Sequence, residues 1–304
     1  MQHGITFSHR QLQFLRCNVD DALQQALSLN FDYLRLCLYW DELEPQAKQF
    51  NWQIIKNILQ KCQENQQAVV LTIGVKAPRW PEFYFPSWLE TANITQQKTQ
   101  DQLLQFISQA LLELKNFSCI KYYQVENEAL DPSGPKKKTI PLAFLKKEIE
   151  LVRQLDPARE IITTLWGNQL SKRKILPKLA PISDIVGIDL YYRQFIKEIL
   201  NQEIYIGPAD TTREISQIIK QTQTKQKQVP LIWIMELQAE PWESSNEKYL
   251  SANPASISPQ KIIDNYKMAT KLPISTIFFW GYEYWYYRSQ RGDSRYLKTI
   301  ANLI

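Results

Sequence analysis

Histidine is nearly missing from this chain. Of 304 residues only His3 and His9 are histidine, and they form neither His-x-His nor H-E-x-x-H, which excludes the common zinc hydrolase patterns. Glycine is scarce as well, with eight residues and no G-x-G-x-x-G, so a dinucleotide-binding open sheet is a poor fit. There is no G-x-S-x-G elbow and no phosphate-cradling loop. The four cysteines, Cys17, Cys37, Cys62 and Cys119, have no paired spacing and read as buried free thiols. No apolar run approaches the roughly 20 residues of a membrane span. The first strand-like run has begun by Ile5, leaving no room for a signal peptide, so a cytoplasmic, reduced setting is expected. No nucleic-acid-binding module is visible. Oligomeric state is not legible.

What is present suits a globular protein with a sizeable core: 44% hydrophobic residues, 22% charged, and a net charge of +5 spread along the chain. The one compact basic run, Lys136-Lys137-Lys138, sits beside Pro132, Gly134 and Pro135 and reads as a solvated loop. No Pro/Gly/Ser-rich linker interrupts the chain, so residues 1–304 are expected to form one domain.

Eight strand-like runs stand out: Gly4–Ser8, Tyr33–Leu38, Ala68–Gly74, Cys119–Val125, Glu160–Leu165, Asp184–Leu190, Pro230–Met235 and Ser275–Trp280. Most are continuously apolar, as in strands covered on both faces. Helical stripes lie between them. Ile54, Ile55, Ile58, Leu59 and Cys62 mark one, and Leu103 through Leu114 another. Thr211 and Glu214 fit a capping box ahead of Ile215, Ile218 and Ile219. Ser258-Pro259 fits an N-cap with proline at the first helical position, and a last helix runs from near Asp293 through Ile300. This alternation predicts an α/β fold, a (β/α)8 TIM barrel.

Active sites of such barrels lie where strands end. Glu128, in YYQVENEAL, ends the fourth run, and Glu236, in PLIWIMELQAEPW, ends the seventh. In a closed barrel both can face one central cavity. A pair of carboxylates is what glycosidic bond cleavage requires, one to donate a proton and one to attack the sugar. Asn127, just before Glu128, can bond a sugar hydroxyl. Arg35, inside the second run, is a buried cation that needs a carboxylate and could keep the nucleophile ionised. Tyr191 and Tyr192 follow the sixth run, where a phenol can hold the nucleophile's oxygen. Among nine tryptophans, Trp280, Trp242 and Trp285, with Trp40 after the second strand, are expected to offer flat faces to sugar rings. Glu42, Glu44, Glu126, Glu240 and Glu283 rank lower, with Glu283 the best third acid.

These segments together resemble clan A glycoside hydrolases, the (β/α)8 retaining enzymes that include the cellulase-like family 5 and the family 42 β-galactosidases. LRLCLYWDELEPQAKQFNW is similar to the clan's second-strand segment, VVLTIGVKAPRWP to its third, YYQVENEA to its fourth, DIVGIDLYY to its sixth, IWIMELQAEPW to its seventh and FFWGYEYW to its eighth. The resemblance implies Glu128 as acid/base, Asn127 as the 2-hydroxyl contact, Tyr191 as partner of the nucleophile, Glu236 as nucleophile and Trp280 as sugar platform. Many family 5 members carry a histidine after the third strand and another before the sixth-strand tyrosine; here the nearby residues are Lys76 and Asp189. The expectation is a retaining β-glycoside hydrolase acting on β-linked oligo- or polysaccharides, with no metal and no cofactor. The alternatives are a carbohydrate-binding barrel without catalysis and a transglycosylase.

Overall fold

The structure is a computed structural model that describes residues 1–89, 92–167, 174–200, 202–207, 215–217, 220 and 230–304. Eight parallel strands close into a barrel. They are β1 (Gln2–Phe7), β2 (Tyr33–Cys37), β3 (Ala68–Ile73), β4 (Ile120–Val125), β5 (Glu160–Trp166), β6 (Ile185–Leu190), β9 (Leu231–Gln238) and β10 (Thr276–Trp280). Each pairs with its neighbours in the ring, and β10 closes back on β1. This is the (β/α)8 architecture.

Helices cover the wall. The Ile55–Cys62 stripe lies on helix Gln53–Glu64, and Leu103, Phe106, Ile107, Leu111 and Leu114 are buried from helix Gln97–Leu114. Ser258 caps helix Pro259–Ala269 by accepting the Lys261 N–H. The last helix is Arg295–Ala301. The capping box at Thr211 and Glu214, with Ile218 and Ile219, lies outside the described residues. All four cysteines are free. No described helix is long and apolar enough to cross a membrane.

Two features were not expected. An antiparallel hairpin, β7 (Gln194–Ile199) with β8 (Gln202–Ile206), follows β6. Its largely exposed strands are not covered on both faces, so it lacks the apolar run that marked the barrel strands. The hairpin leans on the loop after β9, where Phe195 N–H donates to the Trp242 carbonyl at 3.1 Å. The second feature is the length of the seventh barrel strand, which runs on through Gln238 instead of stopping at Met235.

That strand also carries an extra residue. Ile188 of β6 pairs with Ile234, but Asp189 pairs with Glu236; on the other side Ile277 pairs with Ile234 and Phe279 with Leu237. This is a bulge, the device that re-aims a side chain at a barrel rim. Trp233 and Met235 belong to the cluster inside the barrel, whereas Ile234 and Leu237 pack in the outer layer. Strict alternation would send Glu236 outward after Met235. The bulge lets both face inward. Gly187 makes the room: a Cβ there would come within 2.2 Å of Met235.

Candidate active site

The turn after β4 presents two adjacent polar side chains. Glu126 and Glu128 both have positive φ, 59° and 43°, flanking Asn127. Each such residue costs on the order of 1–3 kcal/mol and persists only where its surroundings determine it. Here each N–H of the turn, and the carbonyls of Glu126 and Glu128, are engaged. Glu126 N–H donates to Ile73 O at 2.8 Å and Asn127 N–H to Lys76 O at 2.7 Å. Glu128 N–H reaches Thr164 Oγ1 at 2.7 Å. Gln124 Nε2 donates to Glu126 O at 3.0 Å, and Lys76 Nζ to Glu128 O at 2.6 Å. Gly74, with φ 124°, lies so close to the Glu126 carboxyl that a Cβ would overlap it at 2.3 Å. Glu126 itself turns away from the mouth, accepting the Val75 and Lys76 N–H groups and pairing with Glu148.

Arg35 is wholly buried and organises the centre. Its guanidinium donates to Glu236 Oε1 at 2.8 Å and to Asn127 Oδ1 at 2.7 Å, with a weaker contact to Met235 O at 3.3 Å. The other Glu236 oxygen accepts the Tyr191 hydroxyl. Burial, then the adjacent Glu236 carboxylate, holds the Tyr191 phenol well above its usual range, so it remains a donor. Glu236 is therefore gripped at both oxygens. Across the mouth, burial pushes the Glu128 carboxyl up to about 7; the charges of Glu236 and Glu82 add to this and the Lys76 ammonium opposes it. A carboxyl tuned there can hold a proton at neutral pH and release it to a reacting oxygen.

Both glutamates line one cleft of about 610 Å³, a volume suited to a small ligand or a few linked sugar rings. Asn127, Tyr191, Trp280 and Trp242 line it too. Trp242 is 44% exposed and meets Tyr191 edge-on at 4.9 Å. Trp280 keeps 6% of its surface exposed, because the Arg79 guanidinium lies 4.0 Å over its ring. At most one face is left for a sugar. Trp80, 71% exposed, and Trp166 also line the cleft. The basic run contributes Lys137 to the rim.

Two expected platforms do not reach the cleft. Trp40 is fully buried, donates Nε1–H to Glu44 at 2.7 Å and packs on Phe106 and Trp88. Trp285 is fully buried against Phe279 and donates to Ala239 O at 2.7 Å. Each sits in a helix that starts right after its strand, Trp40–Leu43 and Tyr282–Ser289, and the helix turns the indole into the core. The best third acid fares similarly. Glu283 is buried, accepts the Ser8 N–H and shares Arg79 with Glu240. Glu42 bonds His9 at 2.6 Å.

Several residues that matter to this geometry escaped sequence reading: Thr72, Gln124, Thr164, Arg79 and Glu82. The signal available was polar residues at every second position near the C-terminal ends of otherwise apolar strands, Val70-x-Thr72, Tyr122-x-Gln124 and Ile162-x-Thr164. Among the described residues no group of His, Cys, Asp or Glu is arranged to hold a metal ion.

A model of glycosyl hydrolase family 10 matches residues 37–287. That family lies in clan A, so the clan-level resemblance stands, while the narrower placement in family 5 or 42 does not. A search of curated proteins finds no match. Among solved structures the chain is similar to native xylanase 10B from Thermotoga maritima, at 17% identity over 91% of this chain and 82% of that one, TM-score 0.61. It is similar to the GH5_18 protein from Streptomyces cattleya in complex with GlcNAc, at 11% identity over 92% and 70%, TM-score 0.65. A cold-adapted β-galactosidase from Rahnella sp. R3 aligns at 11% identity over 92% of this chain and 50% of that one, TM-score 0.63. At these identities the structural likeness concerns the fold.

Proposed function

The chain belongs to glycosyl hydrolase family 10, a family of retaining clan A glycoside hydrolases, and from that premise we propose that it cleaves β-linked oligo- or polysaccharides by double displacement, with Glu236 as nucleophile and Glu128 as acid/base. The observation that carries this reading is the contrast between the two carboxyls. Glu236 is held at one oxygen by the Arg35 guanidinium and at the other by the Tyr191 hydroxyl. Glu128, in the same cleft, is raised to about 7 by burial. One is held between two donors and the other is placed to hold a proton.

In the first half-reaction a Glu236 oxygen attacks the anomeric carbon while Glu128 gives its proton to the departing oxygen. The Tyr191 hydroxyl frees the attacking lone pair as the bond forms, and Arg35 keeps the carboxyl plane fixed. In the second half-reaction Glu128 takes a proton from water, whose oxygen displaces Glu236. Asn127, oriented through its Oδ1 by Arg35, leaves its amide N–H groups for the sugar hydroxyl beside the reacting carbon. Trp242 and the open side of Trp280 flank the ring. A β-linked substrate fits the xylanase and β-galactosidase named among the structural neighbours.

The test is hydrolysis of a panel of nitrophenyl β-glycosides. Glu236→Ala should lose at least about 10⁴-fold in kcat while folding normally. Glu128→Ala should recover turnover of an activated aryl glycoside when azide is added, with a β-glycosyl azide as product. Substantial hydrolysis by Glu236→Ala would show that another group is the nucleophile.

A further inference from the structure

Asp189 stands at the centre of this site, and the mechanism above makes no use of it. Its Cα partner across β6 and β9 is Glu236. Its side chain is wholly buried, and among the described residues neither carboxyl oxygen has a hydrogen-bond donor. Instead the carboxyl meets that of Glu128, side chain to side chain. Two carboxylates offer each other only lone pairs, so such a contact becomes a hydrogen bond only when one of them carries a proton.

The charged and titratable groups facing Asp189 come from four other elements and from its own. They are Glu236 on β9, Glu128 after β4, Arg35 on β2, Lys76 after β3, and Tyr191 beyond the end of β6. The two cations are committed elsewhere. Arg35 points its fork at Glu236 and Asn127. Lys76 donates to the carbonyls of Glu128 and Asp131 at 2.6 and 2.9 Å. An ionised Asp189 would thus be a buried anion with no donor and two carboxylate neighbours, which is far costlier than its neutral form.

We propose that Asp189 is a permanently protonated positioning residue whose carboxyl O–H donates to Glu128 and stabilises the carboxylate left there once the leaving group has taken the proton. This rests on Glu128 being the acid/base. The balance is simple. The proton transferred to the leaving oxygen comes from Glu128, the glycosyl carbon exchanges that oxygen for Glu236, and Asp189 shares its own proton without losing it. When water enters, its proton returns to Glu128 and Asp189 is again unchanged. Burial, and then the charges of Glu236 and Glu128, hold the Asp189 carboxyl well above the ordinary carboxylate range, in keeping with this role. A donor that never ionises supplies at this position what a neutral amide or imidazole would supply.

The experiment compares pH profiles of kcat/KM. Asp189→Asn keeps a donor of the same shape and no charge; it should stay within about threefold of the parent, with its alkaline limb unmoved. Asp189→Leu removes the donor; its alkaline limb should move up by about one pH unit and kcat should fall about tenfold. An alkaline limb that drops by a unit or more in Asp189→Asn would mean that an anion had been removed, and would overturn the proposal. Infrared spectra provide a readout independent of turnover. The parent protein at pH 8 should show a protonated-carboxyl C=O band that Asp189→Asn lacks. If Asp189→Asn fails to fold, Glu148→Gln removes the other buried acid held well above its ordinary range. The band remaining in that variant supports the proposal, and its absence sinks it. A protein that shows the band yet hydrolyses no glycoside would refute the hydrolase reading while leaving a neutral Asp189 in place.

Discussion

The barrel interior has two storeys built from the same strands. Near the N-terminal ends, Tyr33, Val70, Ile162, Ile185, Trp233 and Phe278 form a dry plug. Tyr33, Trp233 and Phe278 stack at centroid distances of 5.6 to 6.0 Å, and Tyr122 meets Trp233 edge-on at 5.0 Å. Two residues further along each strand, about 7 Å at the usual rise, the inward side chains become Arg35, Thr72, Thr164 and Gln124, and then Asp189 and Glu236. Alternation carries most strands through both storeys, broken in the upper one by the β9 bulge, and the chemistry of the inward positions differs. Stability and reactivity are therefore separable along one strand. The lower storey is held by burial and stacking. The upper one is held by a charged fork whose removal leaves buried polar groups unpartnered.

Substitutions can test how cleanly the storeys separate. The largest effect should come from Arg35→Met. It strands Glu236 and Asn127 together, so kcat/KM should fall about 10³-fold and stability by about 3–5 kcal/mol in a denaturant titration. A stable and active Arg35→Met would show that the upper storey does not depend on its cation. Next comes Trp233→Ala. Loss of the indole should cost about 3–5 kcal/mol in the same titration, while kcat of the folded protein stays within about twofold. Trp233→Phe should be far milder, since among the described residues the indole N–H has no partner to lose. A fall in kcat for Trp233→Ala matching that of Arg35→Met would erase the distinction between storeys. The smallest effect belongs to the rim. Trp242→Ala should raise KM about tenfold with kcat little changed, because the ring is 44% exposed and meets the centre at the edge of Tyr191.

The barrel was legible because each parallel strand is a short apolar run covered on both faces. Glu128 and Glu236 were legible because each closes such a run, and Arg35 because a cation inside one demands a carboxylate. Direction was not legible. Trp40 and Trp285 follow strand ends as closely as Trp242 follows its own, yet a helix starting at once rotates them into the core. Nor was register. The seventh run was expected to stop at Met235, because an acid after six apolar or β-branched residues looks like a boundary; a bulge cannot be told from a loop without its partners. Asp189 was visible only as a residue where many family 5 members carry histidine. That it has no donor among the described residues depends on where Arg35 and Lys76 spend their hydrogen bonds, which is decided by contacts distant in the chain.

The bulge in β9 also bears on how such a barrel can change. Deleting Glu236 would leave Met235 inward and Leu237 outward, so the wall would close as an ordinary strand with its plug intact. Deleting Met235 would keep the acid but lower it by one rung, about 3.3 Å, away from the guanidinium and phenol that hold it. Either loss is a single codon, and on the proposed mechanism the first would convert a catalyst into an inert sugar receptacle without disturbing the container.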